Sequence, residues 1–225
     1  MQYPTSGITQ EVFVLHALIF ANGELELPAS GLPAADLLIA ADGGSRHCRT
    51  LGVYPHLLVG DLDSLEPALQ TDLKAHGVQL LAHPARKNET DFELALLYAQ
   101  EAGANAVTVI GGLGRRWDHS LANLLLAADA RFTDLPITFL HGPQRLFPVR
   151  RHVQLDAPLG SRVSLIPLAG DALGVTTHGL EYPLNAERIP FGSSRGVSNV
   201  VAAGDAHITL EGGLLLCVLT PADYD

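Results

Sequence analysis

Over its first two-thirds the chain alternates short, almost wholly apolar runs with stretches of helical spacing. Residues 12–20, 37–41, 57–59, 78–82, 106–110 and 137–140 read as strands. Asn22-Gly23, Asp42-Gly43-Gly44, Gly60 and Gly111-Gly112 punctuate their ends. Residues 46–51, 67–76, 90–100 and 121–130 carry helical patterns, with Thr90 suited to an N-cap and Gly77 and Gly103 to stops. Strands separated by helices of this length predict βαβ units and a parallel sheet. Apolar residues on both strand faces are what a sheet covered by helices on both sides requires. Ligands of such sheets bind outside the carboxyl ends of the strands.

After Pro143 the helical period fades. Residues 149–155, 162–167, 174–177, 196–202, 207–210 and 214–219 alternate like strands, and Gly212-Gly213 reads as a hairpin turn between the last two. The expected architecture is therefore α/β. Residues 1–143 would form a mostly parallel, Rossmann-like sheet flanked by helices, and residues 144–225 an antiparallel β-sandwich.

Composition narrows the class. With 47% hydrophobic and 17% charged residues in 225, disorder is excluded for most of the chain. Mean hydropathy is +0.20, yet no apolar run approaches the roughly 20 residues that span a bilayer. No basic segment precedes the first apolar stretch, so a secretory signal is not expected. The two cysteines, Cys48 and Cys217, are expected as buried free thiols, and the location as cytoplasmic. Fourteen Lys+Arg against 24 Asp+Glu give a net charge of −10, which argues against nucleic acid as a partner. A small anionic substrate stays open, because a bound Mg²⁺ reverses the local field.

Three junctions deliver carboxylates to one predicted rim. Gly60-Asp61-Leu62-Asp63-Ser64 follows the third strand, and carboxylates at i and i+2 of an extended chain share a side, as ligands of a hard cation would. The same residues also suit an Asp-rich turn with Ser64 as a helix cap. Lys87-Asn88-Glu89-Thr90-Asp91 follows the fourth strand; Asp91 opens a helix, where the dipole alone accounts for it. Gly111-Gly112-Leu113-Gly114-Arg115-Arg116-Trp117-Asp118-His119 follows the fifth. Its glycines let backbone approach a phosphate and Arg116 can fork onto one, while a plain loop with a capping Asp is the alternative. Read singly, His119 is a cap or packing residue, Trp117 a packed wall, and Arg150-Arg151 a solvated patch or dimer edge. Asp42-Gly43-Gly44 adds a fourth, Gly-rich turn. Like charges gathered on one rim repel unless a cation holds them. Neither a Walker A loop nor a GxGxxG fingerprint is present, so the set points to a nucleotide–Mg²⁺ site built from several loops.

The order Ala-Asp-Gly-Gly, Gly-Asp-Leu-Asp-Ser, Glu-Thr-Asp-Phe-Glu-Leu-Ala-Leu and Gly-Gly…Arg-Trp-Asp-His-Ser-Leu-Ala-Asn resembles the thiamine pyrophosphokinase family. The stretch from Thr176 through Tyr182 to Leu184 and the segment Arg195-Gly196-Val197-Ser198-Asn199 extend the resemblance, which covers about residues 35–219. It implies transfer of a diphosphate from ATP to the hydroxyethyl group of thiamine, giving thiamine diphosphate and AMP. It implies that Asp61, Asp63, Asp91 and Asp118 hold Mg²⁺, with Asp63, Asp91, Asp118 and Arg116 in catalysis. Asp42, Gly43, Gly44, Lys87 and Arg116 would bind the nucleotide. Thr176, Tyr182, Ser198 and Asn199 would bind thiamine, Tyr182 by stacking. It further implies a homodimer with the thiamine pocket shared between subunits, and no nucleic-acid or membrane partner. Three departures stand out: Asn88 where the family commonly has Asp, Val200 where it often has Glu, and Gly114-Arg115-Arg116 in place of the usual second Gly followed by Arg. A pyrophosphokinase acting on another alcohol, such as a hydroxymethyl pterin, is the rival reading; a non-catalytic nucleotide or thiamine sensor is another. The acceptor-side matches favour thiamine over the first, and the four retained Asp residues argue against the second.

Overall fold

The structure is a computed structural model in which residues 14–63, 65–84 and 86–224 are described. Residues 12 and 13 of the first predicted strand, and the predicted cap Ser64, lie outside them. Six strands come first: β1 (Leu15–Phe20), β2 (Leu37–Ala41), β3 (Leu57–Gly60), β4 (Gln79–Ala82), β5 (Ala104–Ile110) and β6 (Ile137–His141). Helices α1 (Ser45–Leu51), α2 (Pro67–Ala75), α3 (Asp91–Glu101) and α4 (Trp117–Leu126) connect them. Thr90 caps α3 as expected, its Oγ1 accepting from the Glu93 N–H at 3.1 Å. Helix α4 starts four residues ahead of the predicted start at 121, so Trp117, Asp118 and His119 form its first turn.

The six strands run parallel in the order β6-β5-β1-β2-β3-β4. From β1 the chain steps outward to β4, then returns to the other side of β1 as β5. The switch point therefore lies between β1 and β5. Alternate residues of β1 feed two cores, Ala17 and Ile19 packing with Phe92 and Leu96 of α3, and Leu18 and Phe20 with Cys48 and Leu73 on the opposite face. Burying each such large side chain contributes roughly 1.5–3 kcal/mol.

The sheet continues past residue 143. Strand β7 (Gln144–Val149) turns back antiparallel on β6, and β14 (Leu215–Thr220), β9 (Arg162–Pro167) and β12 (Asn199–Val200) extend it to ten strands. A second sheet of four strands, β11-β10-β13-β8, packs on this extension; it comprises β8 (His152–Gln154), β10 (Ala172–His178), β11 (Glu187–Ile189) and β13 (His207–Thr209). Leu215, Cys217 and Leu219 of β14 face the sandwich core with Val163, Val175 and Ile208. The antiparallel sandwich is thus present, but one of its layers is the antiparallel extension of the sheet that begins as the parallel half.

Three local expectations need correcting. Gly212-Gly213 is no hairpin: β13 and β14 belong to different sheets, and the pair carries the chain across between them. A Cβ on Gly213, at φ +84°, would sit 2.3 Å from the Asp171 carbonyl oxygen, so this crossing requires glycine. The predicted strand 149–155 is broken between Val149 and His152, where the chain changes sheets. Of the predicted strand 196–202 only Asn199–Val200 forms, and Ser198 takes a left-handed φ of 60°. Both cysteines are buried free thiols, and burial pushes each up to about 12. No helix among the described residues is long and apolar enough to cross a membrane.

Candidate active site

A cleft of about 410 Å³ opens at the carboxyl ends of the parallel strands, over the switch point. Four predicted junctions line it. Asp42 comes from the turn after β2, Asp61 from the end of β3, Lys87 and Asp91 from the β4–α3 loop, and Arg116 from the loop after β5. These side chains converge because all the strands run the same way and the chain leaves each at the same edge.

The remaining predicted residues sit around this group. Gly43 and Gly44 form a 3₁₀ turn with Asp42, whose φ is 42°. Gly44 is pressed against β1: a Cβ there would lie 1.9 Å from the Phe20 carbonyl oxygen. Asp63 is exposed and is not a lining residue; its N–H donates to Asp61 Oδ1 at 3.2 Å, which orients that carboxylate. Asp118 also lies outside the lining. It is forked onto Arg116, Nε to Oδ1 at 3.2 Å and Nη2 to Oδ2 at 2.5 Å. That bond holds the Asp118 carboxyl below its ordinary value and the guanidinium above its own. Lys87 Nζ, in the loop before α3, donates at 2.6 Å to Oδ1 of Asp91, the first residue of that helix.

Among the described residues, no three of Asp61, Asp63, Asp91 and Asp118 bring carboxylate oxygens within 4.8 Å of one another; the one such group is Glu24, Glu26 and His141. The four acids do not form a closed protein cage. The donor set nevertheless fits Mg²⁺, an ion that takes oxygen ligands, keeps several waters and is held by one or two carboxylates plus substrate phosphates. Asp61 and Asp91 supply two carboxylates to one cleft, beside cations that suit phosphate oxygens.

Several lining residues escaped sequence reasoning. Asn22 follows β1 directly, and Arg46 of α1 reaches it, Nη2 to Oδ1 at 3.0 Å. Both are single polar residues beside a Gly turn, and their position next to Asn22-Gly23 and Gly43-Gly44 was the available signal. Asn123 is buried and donates to the Gly112 carbonyl at 2.7 Å, pinning the loop after β5 to α4. Outside the lining, His47 Nε2 meets the Gly23 carbonyl at 3.0 Å, and burial holds its imidazole below its ordinary value despite that bond. His119 lines the cleft, and Trp117 is 86% exposed instead of packing as a wall.

None of Thr176, Tyr182, Ser198 and Asn199 lines the cleft. Thr176 Oγ1 accepts from the Ala186 N–H at 2.9 Å. Asn199 is buried and clamps the backbone of Tyr182, Oδ1 accepting from its N–H at 3.0 Å and Nδ2 donating to its carbonyl at 2.7 Å. Tyr182 itself is 63% exposed. The Ser198 N–H donates to Ser164 Oγ at 3.0 Å.

Two family profiles match in chain order. "Thiamin pyrophosphokinase, catalytic domain" covers residues 30–139, and "Thiamin pyrophosphokinase, vitamin B1 binding domain" covers residues 150–215. The protein named thiamine pyrophosphokinase in Bacillus subtilis is 27% identical over 191 residues, 81% of this chain and 86% of its own. The crystal structure of the Bacillus subtilis thiamine pyrophosphokinase superposes with a TM-score of 0.82 at 26% identity, over 93% of this chain and 100% of that one. The yeast thiamin pyrophosphokinase structure shares the fold, with a TM-score of 0.73 at 16% identity over 94% and 88% of the two chains. Both halves of the sequence are matched in order and the fold is shared across nearly its whole length: the chain belongs to the thiamin pyrophosphokinase family.

Proposed function

We propose that this protein is a thiamine diphosphokinase, which moves a diphosphate group from ATP to the hydroxyethyl oxygen of thiamine and releases AMP. The observation that carries the reading is the mixed charge of the switch-point cleft. Asp42, Asp61, Glu89 and Asp91 share it with Arg46, Lys87, Arg115 and Arg116. A magnesium polyphosphate asks for that combination, carboxylates toward the metal and guanidinium or ammonium groups toward phosphate oxygens.

Diphosphate transfer depends on positioning and on charge neutralisation more than on covalent chemistry. Asp61 and Asp91 are assigned as direct ligands of Mg²⁺, with Asp63 and Asp118 completing the acidic rim. The ion, when bound, would draw charge from the phosphate oxygens. Asp42 with the Gly43-Gly44 turn is assigned to the nucleotide. Lys87 and Arg116 each rest on a carboxylate, Asp91 and Asp118, so both have a ready exchange of one anion for another. Asp63 and Asp91 are the candidates to accept the hydroxyl proton as the thiamine oxygen attacks the β-phosphorus in line.

Residues 1–143 supply the nucleotide half in this reading, and residues 144–225 the thiamine half. Thr176, Tyr182, Ser198 and Asn199 do not line the cleft, and in this reading a second protomer brings its thiamine-side residues to the phosphate. Exposed apolar side chains support that homodimer: Tyr182 on the thiamine side, and Trp117, Leu121 and Leu125 in one row along α4. Tyr182 would stack on thiamine across the subunit boundary. The cytoplasm is the assigned location, from the two free buried thiols.

The test is to incubate the protein with ATP, Mg²⁺ and thiamine. Thiamine diphosphate and AMP are expected in equal amounts, from a particle of twice the chain mass. Binding without turnover, or transfer only to a pterin alcohol, would overturn the reading.

A further inference from the structure

A second cavity, of about 570 Å³, opens where the chain leaves the large sheet at Val149 and enters the small one at His152. It shares no lining residue with the catalytic cleft. Its floor is apolar: Ile137 and Val149 are buried, and Phe147 is half-buried. Its rim carries Arg145, Arg150 and Arg151, and Asp156 is the one acidic lining residue among those described.

The three guanidiniums share with Arg46, Arg49, Arg86 and Arg115 the lack of a carboxylate partner among the described residues. Arg116, Arg131, Arg188 and Arg195 each pair with a carboxylate. Among the described residues none of the cavity's three lies within 4.0 Å of one. Arg145 donates to the Asp156 backbone carbonyl, and Arg150 Nη2 to the carbonyls of Ala127 and Asp129 at 3.3 and 3.5 Å. Both contacts of Arg150 use one nitrogen, so among the described residues its remaining donors have no protein acceptor. Arg151 is exposed. In a chain of net charge −10, three cations line one apolar hollow with a single carboxylate among its described lining residues, a setting that suits an outside anion.

We propose that this cavity is a second ligand site, taking a small organic anion whose phosphate or carboxylate group meets Arg145, Arg150 and Arg151 and whose flat apolar body lies on Ile137, Val149 and Phe147. Its volume falls within the roughly 300–1,000 Å³ of small-molecule sites. The site is separate from diphosphate transfer, so its presence or absence leaves that reading untouched.

The experiment titrates phenyl phosphate and benzoate into the isotope-labelled full chain and follows backbone amide shifts, with inorganic phosphate as the control that lacks an apolar body. Saturable shifts at residues 145–154 are expected, strongest for whichever aromatic anion carries the right head group and weaker for inorganic phosphate. Arg151→Gln should weaken that binding about tenfold while diphosphate transfer stays unchanged. Arg151 makes no structural bond of the kind Arg150 makes, so this variant is expected to fold. The proposal is overturned if no probe gives saturable shifts at 145–154. Shifts confined to Arg46, Arg115 and Arg116, or equal binding by Arg151→Gln, would overturn it as well.

Discussion

Replacing Asn199 by alanine separates a holding role from a contacting one. Its side chain is 6% exposed and makes three bonds to backbone: from the Tyr182 N–H at 3.0 Å, from the Val200 N–H at 2.8 Å, and to the Tyr182 carbonyl at 2.7 Å. Truncation removes all three and leaves the peptide groups of Tyr182 without those partners. At about 0.5–1.5 kcal/mol net for each bond, the loss sums to about 2–3 kcal/mol. In a chain of this size 1 kcal/mol moves the melting temperature by about 2–4 °C, so the variant should melt about 5–10 °C lower. Asn199→Asp keeps the acceptor for both N–H groups but sets a carboxylate oxygen against the Tyr182 carbonyl, and should recover only part of the loss. Thermal melts of the three proteins, run beside KM for thiamine, make the assay. Because Asn199 fixes the chain that carries Tyr182, KM should rise together with the loss of stability. An alanine variant that melts within about 1 °C of the parent while KM still rises would refute the reasoning and make Asn199 a direct ligand.

Gly44→Ala has ordinary helical dihedrals available, φ being −59°, so its cost is steric: the new Cβ would meet the Phe20 carbonyl carbon at 2.6 Å and its oxygen at 1.9 Å. A loss of about 3 kcal/mol in urea unfolding is expected, and a neutral result would show that the turn after β2 is not held against β1. Asp61→Asn should lower kcat/KM by roughly a hundredfold with little change in urea midpoint; parallel losses of stability and turnover would contradict the metal-ligand role proposed for it. Asp129 is held down to about 2 from 3.8, chiefly by the Arg131 side chain and then by the Arg131 N–H. A carboxyl depressed in the folded state stabilises above its unfolded value and loses that contribution as pH falls through the folded one. The stability gap between the parent and Asp129→Asn should therefore close between about pH 4 and pH 2, as urea midpoints at the two ends of that window would record.

The parallel half was legible because its central strands β1, β2 and β3 are buried on both faces, which writes near-continuous apolar runs, and because Asp-Gly-Gly and Gly-Gly close runs at the carboxyl edge of the sheet. The start of α4 was hidden, since Trp117, Asp118 and His119 stand on its first turn with no apolar period of their own. In the second half an alternating strand has the same pattern whichever sheet it joins. Spacing could therefore announce a sandwich but could not reveal that β7, β9, β12 and β14 prolong the first sheet. Gly212-Gly213 illustrates the limit: two glycines permit a hairpin and a sheet-to-sheet crossing equally, and the close approach to Asp171 that decides between them is a tertiary fact. At the site, the acidic and glycine-rich junctions could be read one by one. Arg46 could not, because its reason for being there is Asn22, twenty-four residues earlier and on another strand's end.

Strand β14 is the last in chain order, yet it lies between β7 and β9 inside the large sheet. During synthesis the parallel layer can close while this strand is still on the ribosome, but β7 and β9 keep bare edges until residues 215–220 emerge between them. Those unpaired edges are where a nascent chain is most open to pairing with the wrong neighbour.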